Sequence, residues 1–256
     1  MYVFSFTIRN PEVGQSSQPM FIETQGIVRI PRIEMERAQG NSAPLLIAGF
    51  KVKNIGQSNP TASAPNKITI TLSSFASLTG SNILISGLIG SDTRDDGNIQ
   101  INCSHSSVFG ETGRWLQRNG TLVLSLVSVM QSDTQYILSF VLMNPARSQA
   151  SPQASIEAVG QISISKSAMT SSGGNAAPLL VAGFVHAEIG QSTPSAETNN
   201  TITAFFSVNV LISASLKAVL TIAGLSGSLT ESTSSLMLKF NSSSIFGSDA
   251  RWHQQG

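Results

Sequence analysis

The sequence predicts an all-β chain of two tandem homologous antiparallel β-sandwich domains, the second of them incomplete. Three observations carry this. Apolar residues recur at every second position over short runs, Gly, Pro, Asn and Ser interrupt those runs about every ten residues, and one half of the 256-residue chain echoes the other.

The echo sets the domain organisation. Ala43 to Phe50 reads APLLIAGF, and 134 positions later Ala177 to Phe184 reads APLLVAGF. At the same spacing Tyr2, Ser5, Phe6, Asn10 and Pro11 recur as Tyr136, Ser139, Phe140, Asn144 and Pro145. Ile22, Glu23 and Gly26 recur as Ile156, Glu157 and Gly160, IGQS at 55–58 returns at 189–192, and Ile68 matches Ile202. A three-residue insertion then moves the spacing to 137, where SGLIGS (86–91) meets AGLSGS (223–228) and FGETGRW (109–115) meets FGSDARW (246–252). Such a period exceeds the ~20–50 residues of solenoid repeats and suits a domain of about 100–150 residues with its own core. The expected division is a strand at 1–11 equivalent to the end of a preceding repeat, a β-sandwich repeat over 12–145, and a second over 146–256 that lacks its last strands. The second copy stops before its version of TLVLSLVSVM (121–130), and the sequence opens on the segment that closes the first copy. The expectation is an excerpt of a longer array, or a body whose missing strands come from neighbouring molecules.

Each element follows from its local pattern. Tyr2, Phe4, Phe6 and Ile8 share one face of an extended run, with Ser5, Thr7 and Arg9 opposite. Phe21 to Ile30 reads as a strand, and Ile33 to Ala38 (IEMERA) offers at most one short helical turn. Leu45 to Val52 is expected to be a central strand buried on both faces, because its apolar run barely alternates. Burying one Leu fully is worth roughly 1.5–3 kcal/mol, so a core role explains why the octet is written twice. Ile68, Ile70 and Leu72 alternate with Thr69 and Thr71; Asn82 to Leu88, Asn98 to Cys103 and Arg114 to Gln117 follow. Leu122, Leu124 and Leu126 make one inward row, and Tyr136, Leu138, Phe140 and Leu142 another. Some eight short strands in such a span predict a sandwich of the Ig-like or jelly-roll-like kind, in preference to a closed barrel.

Charged residues are 11% of the chain, against a typical ~25%, so Ser, Thr, Asn and Gln carry the polar faces. A net charge of +1 gives no electrostatic reason to expect nucleic acid or an anionic membrane as partner. No run approaches the ~18 apolar residues of a membrane span, and residues 1–20 alternate without the continuous apolar stretch of a signal peptide. Cys103 is the only cysteine, read as a small buried hydrophobe before an interchain disulfide. Sequons at Asn102, Asn119, Asn199 and Asn241 are glycosylation candidates in a secreted chain. The low Lys and Glu content with Ser/Thr-rich loops favours an extracellular or cell-surface setting.

Catalytic chemistry finds little support. His105, His186 and His253 are scattered without metal-ligand spacing, and G-x-S-x-G, Walker-type and G-x-G-x-x-G motifs do not occur. No cofactor is implied, and the chain reads as a non-enzyme. The one metal candidate is the loop DTRDDGN, with Asp92, Asp95 and Asp96 as oxygen ligands for Ca²⁺. Arg94 and Cys103 stand where an EF-hand-type loop needs acids, so a solvated hairpin tip is preferred. Arg114–Trp115 and Arg251–Trp252 pair an arginine with an indole that either closes the core or stacks on a sugar; adjacent strand residues face opposite sides, so the two do not share one ligand.

YILSFVLMNP (136–145), SPQASIEAVGQISI (151–164), IGQSTP (189–194) and NTITAFF (200–206) together resemble the tandem β-sandwich modules of very large extracellular proteins of algae and other protists, and subunits of secreted glycoprotein filaments. The resemblance implies a wall, matrix or fibre component and brings no catalytic residues. The function expected is a structural extracellular protein whose modules line up end to end as a filament or surface fibre. Strand exchange would join them, with Tyr2, Phe4, Phe6 and Ile8 as the donated assembly strand of a head-to-tail homopolymer. The alternative is a carbohydrate- or surface-binding adhesin module that takes glycans at its loop tips or tryptophans.

Overall fold

Strands form in this protein where residues alternate between faces and a neighbour lies alongside to take up the backbone hydrogen bonds. A computed structural model describes residues 1–239 and 245–254. They fall into two compact units, Met1–Val210 and Leu211–Gly256. The chain is mostly β, with several antiparallel sheets and none closed among the described residues.

The first unit contains β1 (Phe21–Thr24), β2 (Ile30–Glu34), β3 (Phe50–Gln57), β4 (Pro65–Ser74), β5 (Ser81–Ser86), β6 (Asp96–Gln100) and β7 (Asn102–Cys103). A single-turn helix α1 (Ser106–Phe109) precedes β8 (Thr112–Leu116), β9 (Thr121–Ser125), β10 (Tyr136–Met143), β11 (Ser155–Gly160), β12 (Ile164–Ala168), β13 (Thr170–Ser171), β14 (Phe184–Gln191) and β15 (Ile202–Val208). One five-stranded sheet runs β13-β3-β4-β10-β7 and one six-stranded sheet runs β12-β11-β5-β9-β8-β6. Their alternate residues meet in one core. Ile55, Ile68, Ile70, Leu72, Tyr136, Leu138 and Phe140 come from the first sheet, and Ile83, Ile85, Trp115, Leu122, Leu124 and Ile156 from the second. Two hairpins, β1–β2 and β14–β15, stand as separate two-stranded sheets. The described residues of the second unit include a 3-10 turn at Ala214–Leu216 and the hairpin β16 (Thr233–Met237) and β17 (Asp249–Trp252).

Four expectations change. The octet is not a central strand. Its second copy is core, with Leu179, Leu180 and Val181 buried, but it turns through a left-handed Leu179 (φ 52°) and makes one isolated bridge, Gln149 to Val181. Its first copy does the same at Leu45 (φ 57°) and Gln15–Ile47, and β3 begins only at Phe50. A leucine at positive φ is costly by about 1–2 kcal/mol, and a continuous strand cannot pass through it. IEMERA is not helical: β2 occupies its start, and the 3-10 turn comes later, at Gly40–Ser42. Tyr2 to Ile8 makes no strand, because no strand lies beside it. The expected boundary at 145/146 falls between two strands of one core, since β11 pairs with β5 along Ser155–Gly160.

Backbone geometry follows the sequence spacing. β1–β2 pairs Phe21 with Glu34, Ile22 with Ile33 and Thr24 with Ile30, and β11–β12 pairs the residues 134 positions later, Ser155 with Ala168, Ile156 with Ser167 and Ala158 with Ile164. β3–β4 and β14–β15 share their register, down to the irregularity after Phe50 and after Phe184. β6–β8 and β16–β17 correspond at 137 positions, as Asp96–Trp115 and Thr233–Trp252.

Candidate assembly interface

The same side-chain pattern meets two environments in this chain. In β10, Tyr136, Leu138, Phe140 and Leu142 are at most 2% exposed, seated between β4 and β7. Their counterparts Tyr2, Phe4, Phe6 and Ile8 are 101%, 79%, 76% and 56% exposed. The proposed assembly residues thus lie in water, with only the Phe4 and Phe6 rings in contact, 6.3 Å apart. Ile156 in β11 is buried against β5, whereas Ile22 and Ile33 of β1–β2 are about half exposed. Scattered apolar exposure is ordinary, but a contiguous row of large apolar side chains marks a binding surface.

The hairpin β14–β15 shows the complementary face. Ile55 and Ile68, in β3 and β4, are fully buried, while their counterparts Ile189 and Ile202 are exposed. Among the described strands β4 is paired on both edges, by β3 and by β10, and β15 is paired with β14.

Sequence reasoning did not identify the polar centre of this surface. Gln57, Asn66 and Asn144 are buried together where β3, β4 and β10 end. Asn66 Nδ2 donates to Gln57 Oε1 (2.7 Å) and to Asn144 Oδ1 (2.8 Å), and Asn66 Oδ1 accepts from the Asn59 amide (3.2 Å). Asn144 Nδ2 donates to the Asn59 and Thr61 carbonyls, both at 2.8 Å, and Gln57 Nε2 to the Asn175 and Leu180 carbonyls. Every amide hydrogen of Asn66 and Asn144 therefore has an acceptor, as burial requires. In the β14–β15 hairpin two of these three residues recur in the same bonds. Asn200 Nδ2 donates to Gln191 Oε1 (2.8 Å), and Asn200 Oδ1 accepts from the Thr193 amide (3.3 Å). Both Gln191 and Asn200 are exposed. The residue 134 positions before Asn144 is Asn10, in the exposed N-terminal segment. The signal was in the sequence as repeated Gln and Asn at fixed spacing, but amides are common in this chain and only burial singles these out.

The other candidates are dispersed. Asp92, Asp95 and Asp96 are exposed; Asp95 Oδ1 accepts from the Gln117 amide (2.7 Å) and Asp96 Oδ1 from the Asn98 amide (2.8 Å), bonds that shape the turns around β6 and β8. Among the described residues no three His, Cys, Asp or Glu side chains come together as metal ligands. Trp115 is fully buried and its indole N–H donates to the Thr93 carbonyl (3.0 Å), so it presents no face to a sugar. Trp252 repeats this bond to Thr230 (2.9 Å). Asn102, Asn119 and Asn199 are exposed at their sequons, Asn102 on the edge strand β7; Asn241 lies outside the described residues. Cys103 is half-buried, and burial pushes its thiol pKa up against the lowering effect of its contacts with His105 and Ser104. Among the described residues no helix is long and apolar enough to cross a membrane. No protein-family model, curated protein or solved structure matches this chain.

Proposed function

We propose that the chain is a structural protein of the cell surface or extracellular matrix, built of two-sheet sandwich modules of one repeated type that join end to end by strand exchange. In this reading a module is a body, β3 to β9, completed by the tail β10–β12 that follows it. The unit is therefore displaced from the sequence repeat: residues 1–34 are a tail, and the hairpin β14–β15 opens a second body. One observation carries the reading. A tail of matching sequence and hairpin register is buried against a body at 136–168 and exposed at 1–34. The tail of one molecule then completes the body of another. Such a contact joins two different surfaces, so it propagates without closing and yields a fibre. Self is the partner, glycans at the sequons are decoration, and no catalysis is involved. The adhesin alternative loses Trp115, which lies inside the core, and is left with the half-buried Trp252 and the loop tips.

The test is sedimentation velocity across a concentration series, with electron microscopy of the concentrated sample. Elongated species should grow with concentration, and deletion of Tyr2–Glu34 should leave single particles. Single particles of the full chain at every concentration would refute the proposal.

A further inference from the structure

We propose that the hairpin β14–β15 is welded to the first body without a free linker, and that Asn209 is the residue that holds the weld. The inference stands apart from end-to-end joining, since it concerns a single chain. Residues 177–183 form the passage between the two. On the side of the first body, the Ala182 amide donates to the Pro60 carbonyl (2.7 Å) and Gln57 Nε2 donates to the Leu180 carbonyl (2.8 Å). Leu179 and Val181 are fully buried there, and β14 already starts at Phe184. On the side of the hairpin, Asn209 follows directly after β15 and reaches back into the same passage. Its Oδ1 accepts from the Gly183 amide (2.9 Å), and its Nδ2 donates to the carbonyls of Val181 (2.8 Å) and Gln149 (3.2 Å). Its backbone amide donates to the Gly183 carbonyl (3.3 Å). A junction between modules is ordinarily an exposed stretch that few contacts cross, and motion about it is the default. Here the hairpin cannot swing about Gly183 without breaking every one of these bonds.

The first copy makes the same junction with a different filling. Phe75 stands 134 positions before Asn209, and its amide donates to the Gly49 carbonyl (2.9 Å) as that of Asn209 does to Gly183. Two segments cross closely in both copies. A Cβ on Gly49 would lie 2.7 Å from the Gly14 Cα, and a Cβ on Gly183 would run into the side chain of Ser148, the counterpart of Gly14. What differs is the pair that fills the crossing. Gly14 leaves room for the Phe75 ring, whose edge would stand only 3.1 Å from a Cβ at position 14. Where Ser148 takes up that room, the ring gives way to the smaller Asn209, which ties the crossing by hydrogen bonds instead. A large residue beside glycine and a small one beside serine fill one gap in two ways, as close packing requires. Residues that share a gap are coupled, so neither member of a pair should be exchangeable alone.

Pulsed electron–electron distance measurement tests this in the full chain carrying Cys103→Ser. Spin labels go on Asn82→Cys in β5 and Thr203→Cys in β15, both exposed positions. Labelled protein is diluted into unlabelled protein, so that only distances within one molecule are read. The expected result is a single narrow distance. Asn209→Ala should spread it into a broad distribution while the fluorescence of the buried Trp115 stays that of the folded core. Asn209→Phe alone should spread it too, because the ring meets Ser148, whereas Asn209→Phe with Ser148→Gly should restore the narrow peak by installing the filling of the first copy. A broad distribution with Asn209 in place would overturn the weld. A peak that stays narrow in Asn209→Ala would overturn the part given to Asn209, and a double replacement that fails to restore the peak would overturn the equivalence of the two junctions.

Discussion

Replacing Asn144 with alanine tests the buried amide cluster directly. The change removes three hydrogen bonds of 2.8 Å, one from Asn66 and two to the Asn59 and Thr61 carbonyls. Each bond contributes about 0.5–1.5 kcal/mol net, and a buried polar group left without a partner costs roughly 1–3 kcal/mol. Asn66 is fully buried and would keep one amide hydrogen with no acceptor. Loop carbonyls at 59 and 61 are closer to solvent, so water recovers part of their loss. The balance is a destabilisation of about 3–5 kcal/mol. With a urea m-value near 2 kcal/mol/M, the unfolding midpoint should fall by about 1.5–2.5 M, with the slope unchanged. Urea titration followed by tryptophan fluorescence reads this, because Trp115 lies in the same core. Asn10→Ala, measured at high dilution, is the matched control and should leave the midpoint where it was. A midpoint for Asn144→Ala equal to that of the unaltered chain would show that the three amides are tolerated rather than needed.

The tail strand β11 makes a second contrast. Ile156→Ala should cost about 2–5 kcal/mol in the same titration, as expected for a buried isoleucine, whereas Ile22→Ala at the matched exposed position should cost almost nothing at high dilution; equal effects would remove the distinction between docked and undocked tails. Cys103 gives a pH signature. Its folded pKa lies above the ordinary thiol value, so its contribution to stability is intact below that value and is lost as pH rises through the raised one. Alkylation of the native protein should lag behind that of the unfolded chain near neutral pH and catch up in alkali, and equal rates throughout would refute the burial of this thiol.

The sequence made the locally determined strands legible. β4, β9 and β10 lie where Ile68–Leu72, Leu122–Leu126 and Tyr136–Leu142 alternate, because a strand with one face in the core must write its burial with period two. The octet misled because an apolar run does not report backbone conformation. Leu179 is buried as expected, yet its left-handed φ follows from the turn it completes, held by the Gln149 side chain donating to the Leu179 carbonyl (2.8 Å). Module boundaries were hidden for a different reason. Self-similarity gives the length of a repeat but not its starting point, and the pairing of β11 with β5 is what places residues 155–160 in the same sheet as the strands before them. The amide cluster was invisible because Gln57, Asn66 and Asn144 are distant in sequence and each reads alone as a turn residue.

Tyr2–Arg9 and Tyr136–Met143 share a pattern, yet only the second is a strand, and the energetics explain why the donor must be larger than eight residues. Burying the four apolar side chains of β10 is worth roughly 6–12 kcal/mol, at 1.5–3 each. Fixing the eight backbone residues of β10 costs about 8–16 kcal/mol, at 1–2 each. The two terms nearly cancel, so such a segment orders only where something else already holds it. β10 has that support: β4 and β7 lie on its two sides, Asn144 is bonded at its end, and the chain continues into β11 on the facing sheet. An incoming tail must bring the same support within itself. Residues 1–34 do so on one covalent stretch, with the apolar row first, the amide next and the preformed β1–β2 hairpin last. Each later contact is then made by a segment already held close by the one before, where its effective concentration is high. In the proposed fibre, a joint built this way would be weak for any one piece and firm for the whole, so that assembly at the ends would not require free tails to adhere elsewhere.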